Sequence, residues 1–73
     1  LIVKKAILNM ATGIILAHTH PSGNVRPSEA DIKMTETVRN ACDYFDISLM
    51  DHLIISEESY YSFADGEEVA TTR

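Results

Sequence analysis

Basic residues are scarce in this sequence. Six Lys and Arg stand against eleven Asp and Glu, a formal net charge of −5. Phosphate backbones are bound by clustered cations, and the sole adjacent basic pair is Lys4-Lys5. Direct nucleic-acid binding by this segment is therefore not expected. Cysteine is limited to Cys42, which excludes an internal disulfide and fits a reducing cytoplasm. No apolar run approaches the ~20 residues of a membrane-spanning helix. The opening Leu-Ile-Val-Lys-Lys places its basic residues after a short apolar piece, unlike a signal peptide. An initiator methionine is also lacking, and the chain opens as if inside an element. The expectation is a single partial domain over residues 1–73, the C-terminal part of a larger one.

What is present suits a folded domain. A hydrophobic fraction of 45% with 23% charged residues is globular rather than disordered. Seventy-three residues seldom bury enough apolar surface for high stability without a metal, a disulfide or a partner.

The most informative stretch runs from His18 to Asp31, H-T-H-P-S-G-N-V-R-P-S-E-A-D. It follows the apolar run Gly13-Ile14-Ile15-Leu16-Ala17. On a strand, residues two apart share a face, so His18 and His20 point the same way. Two neutral imidazoles so placed can hold one zinc ion, and the loop that follows can bring Asp31 in as an oxygen ligand. Three protein ligands leave a coordination position for water, the arrangement of a catalytic rather than a structural site. Iron or manganese also suits two imidazoles and a carboxylate, geometry and availability deciding. The plainer alternatives are histidines that merely hydrogen-bond where a strand leaves the core, and a Ser28-x-x-Asp31 capping box at a helix start. Capping and site duty are compatible for Ser28. For Asp31 they compete, since a carboxylate folded back on the cap nitrogen is a poorer ligand.

Taken in order, residues 1–10 suggest a helix, with Val3, Ala6, Ile7 and Met10 on one face, ended by Thr12-Gly13. Residues 14–20 read as a central strand covered on both faces. Residues 21–27, with Pro21, Gly23 and Pro27, form an ordered loop in which Gly23 lets the backbone pass close to the metal and Ser22 can orient a histidine. A helix starts at the N-cap Ser28, with Met34, Val38, Ala41 and Phe45 as its core stripe and Cys42 a buried thiol beside it. Asp46 closes it. Ile47–Ser56 is a second strand, Glu57-Glu58-Ser59 a turn, and Tyr60–Ala64 a short third strand with Tyr60, Ser62 and Ala64 on one face. Asp65-Gly66 is a turn, and Glu67–Arg73 a tail. A strand end meeting a helix N-terminus is where α/β layers bind ligands.

The set His18, His20, Ser28 and Asp31, with seven residues between the histidine pair and the serine, resembles the metal signature of the JAMM (JAB/MPN-type) metal-dependent hydrolases. Together with His20-Pro21-Ser22-Gly23, Pro27-Ser28 and Asp51-His52-Leu53-Ile54-Ile55, it is similar to the RadC branch. The resemblance runs from Lys4 to about Gly66. It implies an α/β fold of layered α+β type, with a deaminase-like mixed sheet flanked by helices whose N-terminal strands precede Leu1. It also implies a zinc-dependent hydrolase of peptide, isopeptide or other amide bonds, with His18, His20 and Asp31 as metal ligands. Ser28 would hydrogen-bond the oxyanion formed at the substrate carbonyl. The family's general base is a glutamate upstream of His-x-His, and no counterpart is expected in this chain. Glu29 lies on the wrong side of the helix start, and Glu57, Glu58, Glu67 and Glu68 fall in turn and tail. Asn24 stands where relatives often carry Asp. Asp51-His52 is expected to make a structural hydrogen bond. The alternative implied is a non-catalytic, metal-stabilised interaction domain in a protein associated with DNA repair.

Overall fold

Strand β1 (Lys5–Met10) turns through Ala11-Thr12 into β2 (Gly13–Thr19), the two pairing antiparallel with Met10 opposite Gly13 and Lys5 opposite His18. The computed structural model describes residues 5–20 and 24–70. The helix expected over residues 1–10 is thus corrected to a strand across residues 5–10. The spacing of Ala6, Ile7 and Met10 fits a helical face, but backbone pairing with β2 decides otherwise. Gly13 is required by the turn's surroundings. A Cβ there would stand 2.2 Å from the carbonyl oxygen of Ser48, which accepts the Ile14 N–H at 2.9 Å.

After β2 the chain crosses through helix α1 (Glu29–Tyr44) into β3 (Leu49–Ile55), which lies parallel beside β2. Strands β4 (Ser59–Ser62) and β5 (Glu67–Ala70) then add antiparallel, giving a mixed five-stranded sheet in sequential order. The fold is α/β, as expected. The tail expected at Glu67 is instead an edge strand as far as Ala70. The β4–β5 turn is closed by the Gly66 N–H donating to the Ser62 carbonyl at 2.8 Å. Gly66 sits at φ 71, a left-handed geometry that costs glycine little. The second strand begins at Leu49 rather than Ile47, and the third ends at Ser62, with Phe63 and Ala64 in the turn.

Register sorts the side chains. Leu16 lies beside His52 and His18 beside Ile54, and α1 rests on β3 over this face. The buried apolar side chains are Leu16, Val25, Cys42 and Ile54, accompanied by Asp31, Thr35 and His52. The opposite face carries a hollow lined by Asp51, Leu53, Ile55, Tyr60, Ser62 and Asp65. Within β2 only Leu16 is fully buried, the residues of both faces being otherwise half-buried, so the expectation of two covered faces is met only in part. The helix stripe is corrected as well. Met34 and Val38 are half-buried, but Ala41 is exposed and Phe45 is 69% exposed. The buried helical positions are Asp31, Thr35 and Cys42, with Val38 between. No described helix is long and apolar enough to cross a membrane.

Candidate metal centre

The tip of β2 carries the two histidines. Beyond Thr19 the chain stays extended, because the His20 N–H donates to the Ile55 carbonyl at 3.1 Å. The period of two therefore persists, and the His18 and His20 rings stand edge to face with centroids 4.8 Å apart. The helix start supplies the third group. Ser28 has extended N-cap geometry (φ −85°, ψ 169°), and its hydroxyl oxygen accepts the Asp31 N–H at 3.1 Å. Asp31 Oδ2 in turn accepts the Ser28 N–H at 2.8 Å, completing a capping box with Asp in the usual Glu place.

Capping and site duty do not compete in this geometry. The Asp31 carboxylate is 4% exposed, with Oδ1 3.2 Å from His18 Nδ1 and Oδ2 3.2 Å from His20 Nε2. One ligand atom from each of the three residues lies within 4.8 Å of the others. The cap uses Oδ2 and leaves Oδ1 unspent, so one carboxylate serves both ends. The sequence-level conflict for Asp31 is therefore overturned, because the first helical turn already lies over the strand tip.

The nitrogen chemistry suits a cation. His20 Nδ1 lies 2.8 Å from the Asn24 carbonyl oxygen, which can only accept, so Nδ1 carries the proton and Nε2 presents its lone pair to the cluster. His18 Nδ1 is buried without a hydrogen-bond partner. Its 3.2 Å separation from Asp31 Oδ1 is close enough for an ion pair but out of line for a hydrogen bond. A buried imidazole nitrogen without a hydrogen-bond partner, beside a carboxylate, fits a metal-ligand set. Burial lowers the His18 pKa against the pull of Asp31, which favours the neutral ring. Burial alone would raise the Asp31 pKa. The Ser28 backbone and side-chain hydrogen bonds, with both histidines, outweigh it and lower the value. Neutral imidazole and ionised carboxylate are the ligand forms. The donor set fits a divalent metal ion.

Ser28 stands at the rim of this cluster and is exposed, its hydroxyl proton left over to donate. Glu29, Glu57, Glu58, Glu67 and Glu68 are exposed, outside the one His/Cys/Asp/Glu cluster found among the described residues. The expectations for Pro21, Ser22 and Gly23 fall outside the described residues. Asp51 is structural, as expected: it accepts from Ser62 Oγ at 2.6 Å, Ala64 N at 2.9 Å and His52 N at 2.7 Å. Sequence reasoning missed Thr35, the partner of the structural hydrogen bond expected at Asp51-His52. Thr35 Oγ donates to the Asp31 carbonyl at 2.8 Å and lies 2.5 Å from His52 Nδ1. The available signal was the i, i+4 spacing of Asp31 and Thr35, which puts both on one helical face.

Residues 1–69 match the family described as the RadC-like JAB domain. A UPF0758 protein of Porphyromonas gingivalis is 53% identical over 66 residues, 89% of this chain and 29% of its own length. Another, from Flavobacterium johnsoniae, is 48% identical over 65 residues, 89% of this chain and 28% of the relative. A third, from Streptococcus agalactiae, is 40% identical over 68 residues, 93% of this chain and 30% of the relative. The chain thus spans under a third of the length of these relatives. With the match covering all but four residues, the chain belongs to the RadC-like JAB domain family.

Proposed function

We propose that this chain supplies the metal-binding part of a zinc-dependent hydrolase acting on a peptide, isopeptide or other amide bond. The observation that carries the reading is the convergence of His18, His20 and Asp31, with a buried imidazole nitrogen left without a partner. When bound, zinc would lower the pKa of a coordinated water toward about 7 and polarise the scissile carbonyl. His18 and His20 would hold the ion through neutral rings, and Asp31 would add the compensating charge. Ser28, whose oxygen already accepts from Asp31 N, keeps its proton to donate where negative charge develops on the carbonyl oxygen. By the family resemblance, a glutamate upstream of His-x-His in the intact protein would serve as the general base. The activity is cytoplasmic, and this acidic segment makes no direct contact with nucleic acid.

The test uses the intact protein purified with its metal retained. One zinc per chain is expected, together with amide hydrolysis on a peptide library, both lost in His18→Ala. Absence of stoichiometric zinc, with activity indifferent to His18→Ala and His20→Ala, would overturn the reading. A second reading, a metal-stabilised interaction domain in a DNA-repair-associated protein, draws on the small core of Leu16, Val25, Cys42 and Ile54. Zinc that raises Tm without any hydrolysis would favour it.

A further inference from the structure

His52 belongs to none of the groups that would hold the metal, yet it is fully buried. Its ring lies flat against Phe63, centroids 4.6 Å apart and 6° from parallel. On its other flank the His18 ring runs nearly parallel, 18° off, with centroids 6.2 Å apart. Its Nδ1 meets Thr35 Oγ at 2.5 Å, and that hydroxyl also reaches the Asp31 carbonyl at 2.8 Å. A hydroxyl has one proton. If Thr35 spends it on the Asp31 carbonyl, His52 Nδ1 carries the hydrogen and donates to the Thr35 oxygen. His52 Nε2 is then a bare acceptor, buried without a partner.

A buried imidazole with an unsatisfied nitrogen is a costly way to fill space, since an apolar side chain would leave nothing unpaired. What the ring adds is direction. β3 is the strand on which α1 rests, and one residue of slip would turn the helix by about 100°. Such a turn would swing Asp31 away from the strand tip. The apolar contacts beneath the helix resist separation but specify its rotation weakly, because dispersion and burial are not directional.

We propose that His52 is a positioning residue for the metal cluster: its ring, set between Phe63 and His18 and bonded through Thr35 to the Asp31 backbone, fixes the first turn of α1 over the two histidines. The inference rests on the hydrolase-type metal site proposed above and names the device that aligns it. Groups that orient metal ligands without touching the ion are worth about 10- to 100-fold in metal affinity.

The experiment compares Thr35→Val, which keeps the shape and removes the hydroxyl, with Thr35→Ser, which keeps the hydroxyl. Both are made in the intact protein, stripped of metal and titrated with zinc against a competing chelator. Cobalt(II) is then substituted and its visible spectrum recorded as a direct report of ligand geometry. Thr35→Val should bind zinc about 10- to 100-fold more weakly, with an altered cobalt spectrum, while Thr35→Ser stays close to native on both. A purely packing role would lower the Tm of the apo protein and leave affinity and spectrum alone, and that result overturns the proposal. Thr35→Ala, smaller and a better helix former, serves if Thr35→Val does not fold. Failure of both to fold while Thr35→Ser folds would make the bond a requirement of the fold, which also overturns it. His18→Ala separates the two levels: unchanged zinc binding there removes the metal site itself, whereas lost binding with an indifferent Thr35→Val removes only the positioning role.

Discussion

The two ends of α1 are built on opposite rules. At its N-terminal end the buried residues are polar: Asp31 and Thr35 are each 3% exposed. At its C-terminal end two aromatics are among the exposed residues, Tyr44 at 83% and Phe45 at 69%, packed edge to face on each other. Ordinary folding would reverse this, sinking the aromatics and wetting the carboxylate. A buried carboxylate needs partners, and Asp31 has a donor in the Ser28 N–H, with two imidazole nitrogens 3.2 Å away that can share a cation with it. The far end closes by backbone geometry instead. The Asp46 N–H donates to the Asp43 carbonyl and the Ile47 N–H to the Cys42 carbonyl, with Asp46 at φ 61. That is a Schellman-type stop carrying aspartate where glycine is usual. Burial at one end follows chemistry, and at the other the chain simply turns back toward the sheet.

The sharpest way to break the contrast is to remove its charged member. Asp31→Ala deletes the carboxylate shared by cap and cluster, so zinc binding should disappear. With it goes the ligand-linked stability, about 4 kcal/mol at a thousandfold excess over Kd, besides about 1 kcal/mol for the lost cap. Calorimetry with and without zinc, with metal analysis, reads both. A zinc-dependent rise in Tm surviving in Asp31→Ala would show that the ion binds elsewhere.

The far end is tested at Gly13, where the approach of the Ser48 carbonyl excludes a methyl group. Gly13→Ala should cost about 1–3 kcal/mol in urea unfolding while leaving zinc stoichiometry intact. Loss of both together would mean that the two ends are coupled rather than independent.

Acid should act at the site end. Burial lowers the pKa of both His18 and His52 below the ordinary 6.5. As pH falls below about 6.5 the unfolded chain takes up protons that the folded rings refuse, so apo stability declines from there until the folded rings titrate. Asp31, its pKa lowered from 3.8, stabilises the fold above that pH, and its contribution is lost as pH falls through the folded value. Apo stability should therefore be lower at pH 5 than at pH 7, and His52→Gln should flatten the slope. A pH-independent midpoint of urea unfolding would contradict this account. The smallest effect belongs to the helix stop. Asp46→Gly should stabilise by about 0.5–1 kcal/mol, since a side chain in the left-handed region is strained. Thermal denaturation should register it with zinc affinity unchanged.

Much of the site was legible because it is local. His18 and His20 are related by strand period, and Asp31 lies one helical turn beyond a cap residue, so short-range rules place all three. Thr35, and its pairing with His52, were opaque because their meeting depends on which strand α1 lies upon. The misassigned stripe has the same cause: Ala41 and Phe45 satisfy helical spacing, but α1 is rotated so that Thr35 and Cys42 take the buried positions instead. β1 and β5 were misjudged because edge strands are defined by partners. Exposed Ile7, Leu8, Glu67 and Glu68 carry no alternation, and pairing with β2 and β4 supplies the structure.

By itself, the sequence determined the donor atoms, the turn and cap positions around them, and the acidic balance of the segment. Those properties depend on covalent chemistry and on neighbours a few residues apart. Tertiary structure alone decided that one carboxylate could cap a helix and face two imidazoles at once, and that a buried histidine would stand behind them. Such arrangements depend on the rotation of a helix over a sheet, a variable fixed by contacts between residues distant in the chain.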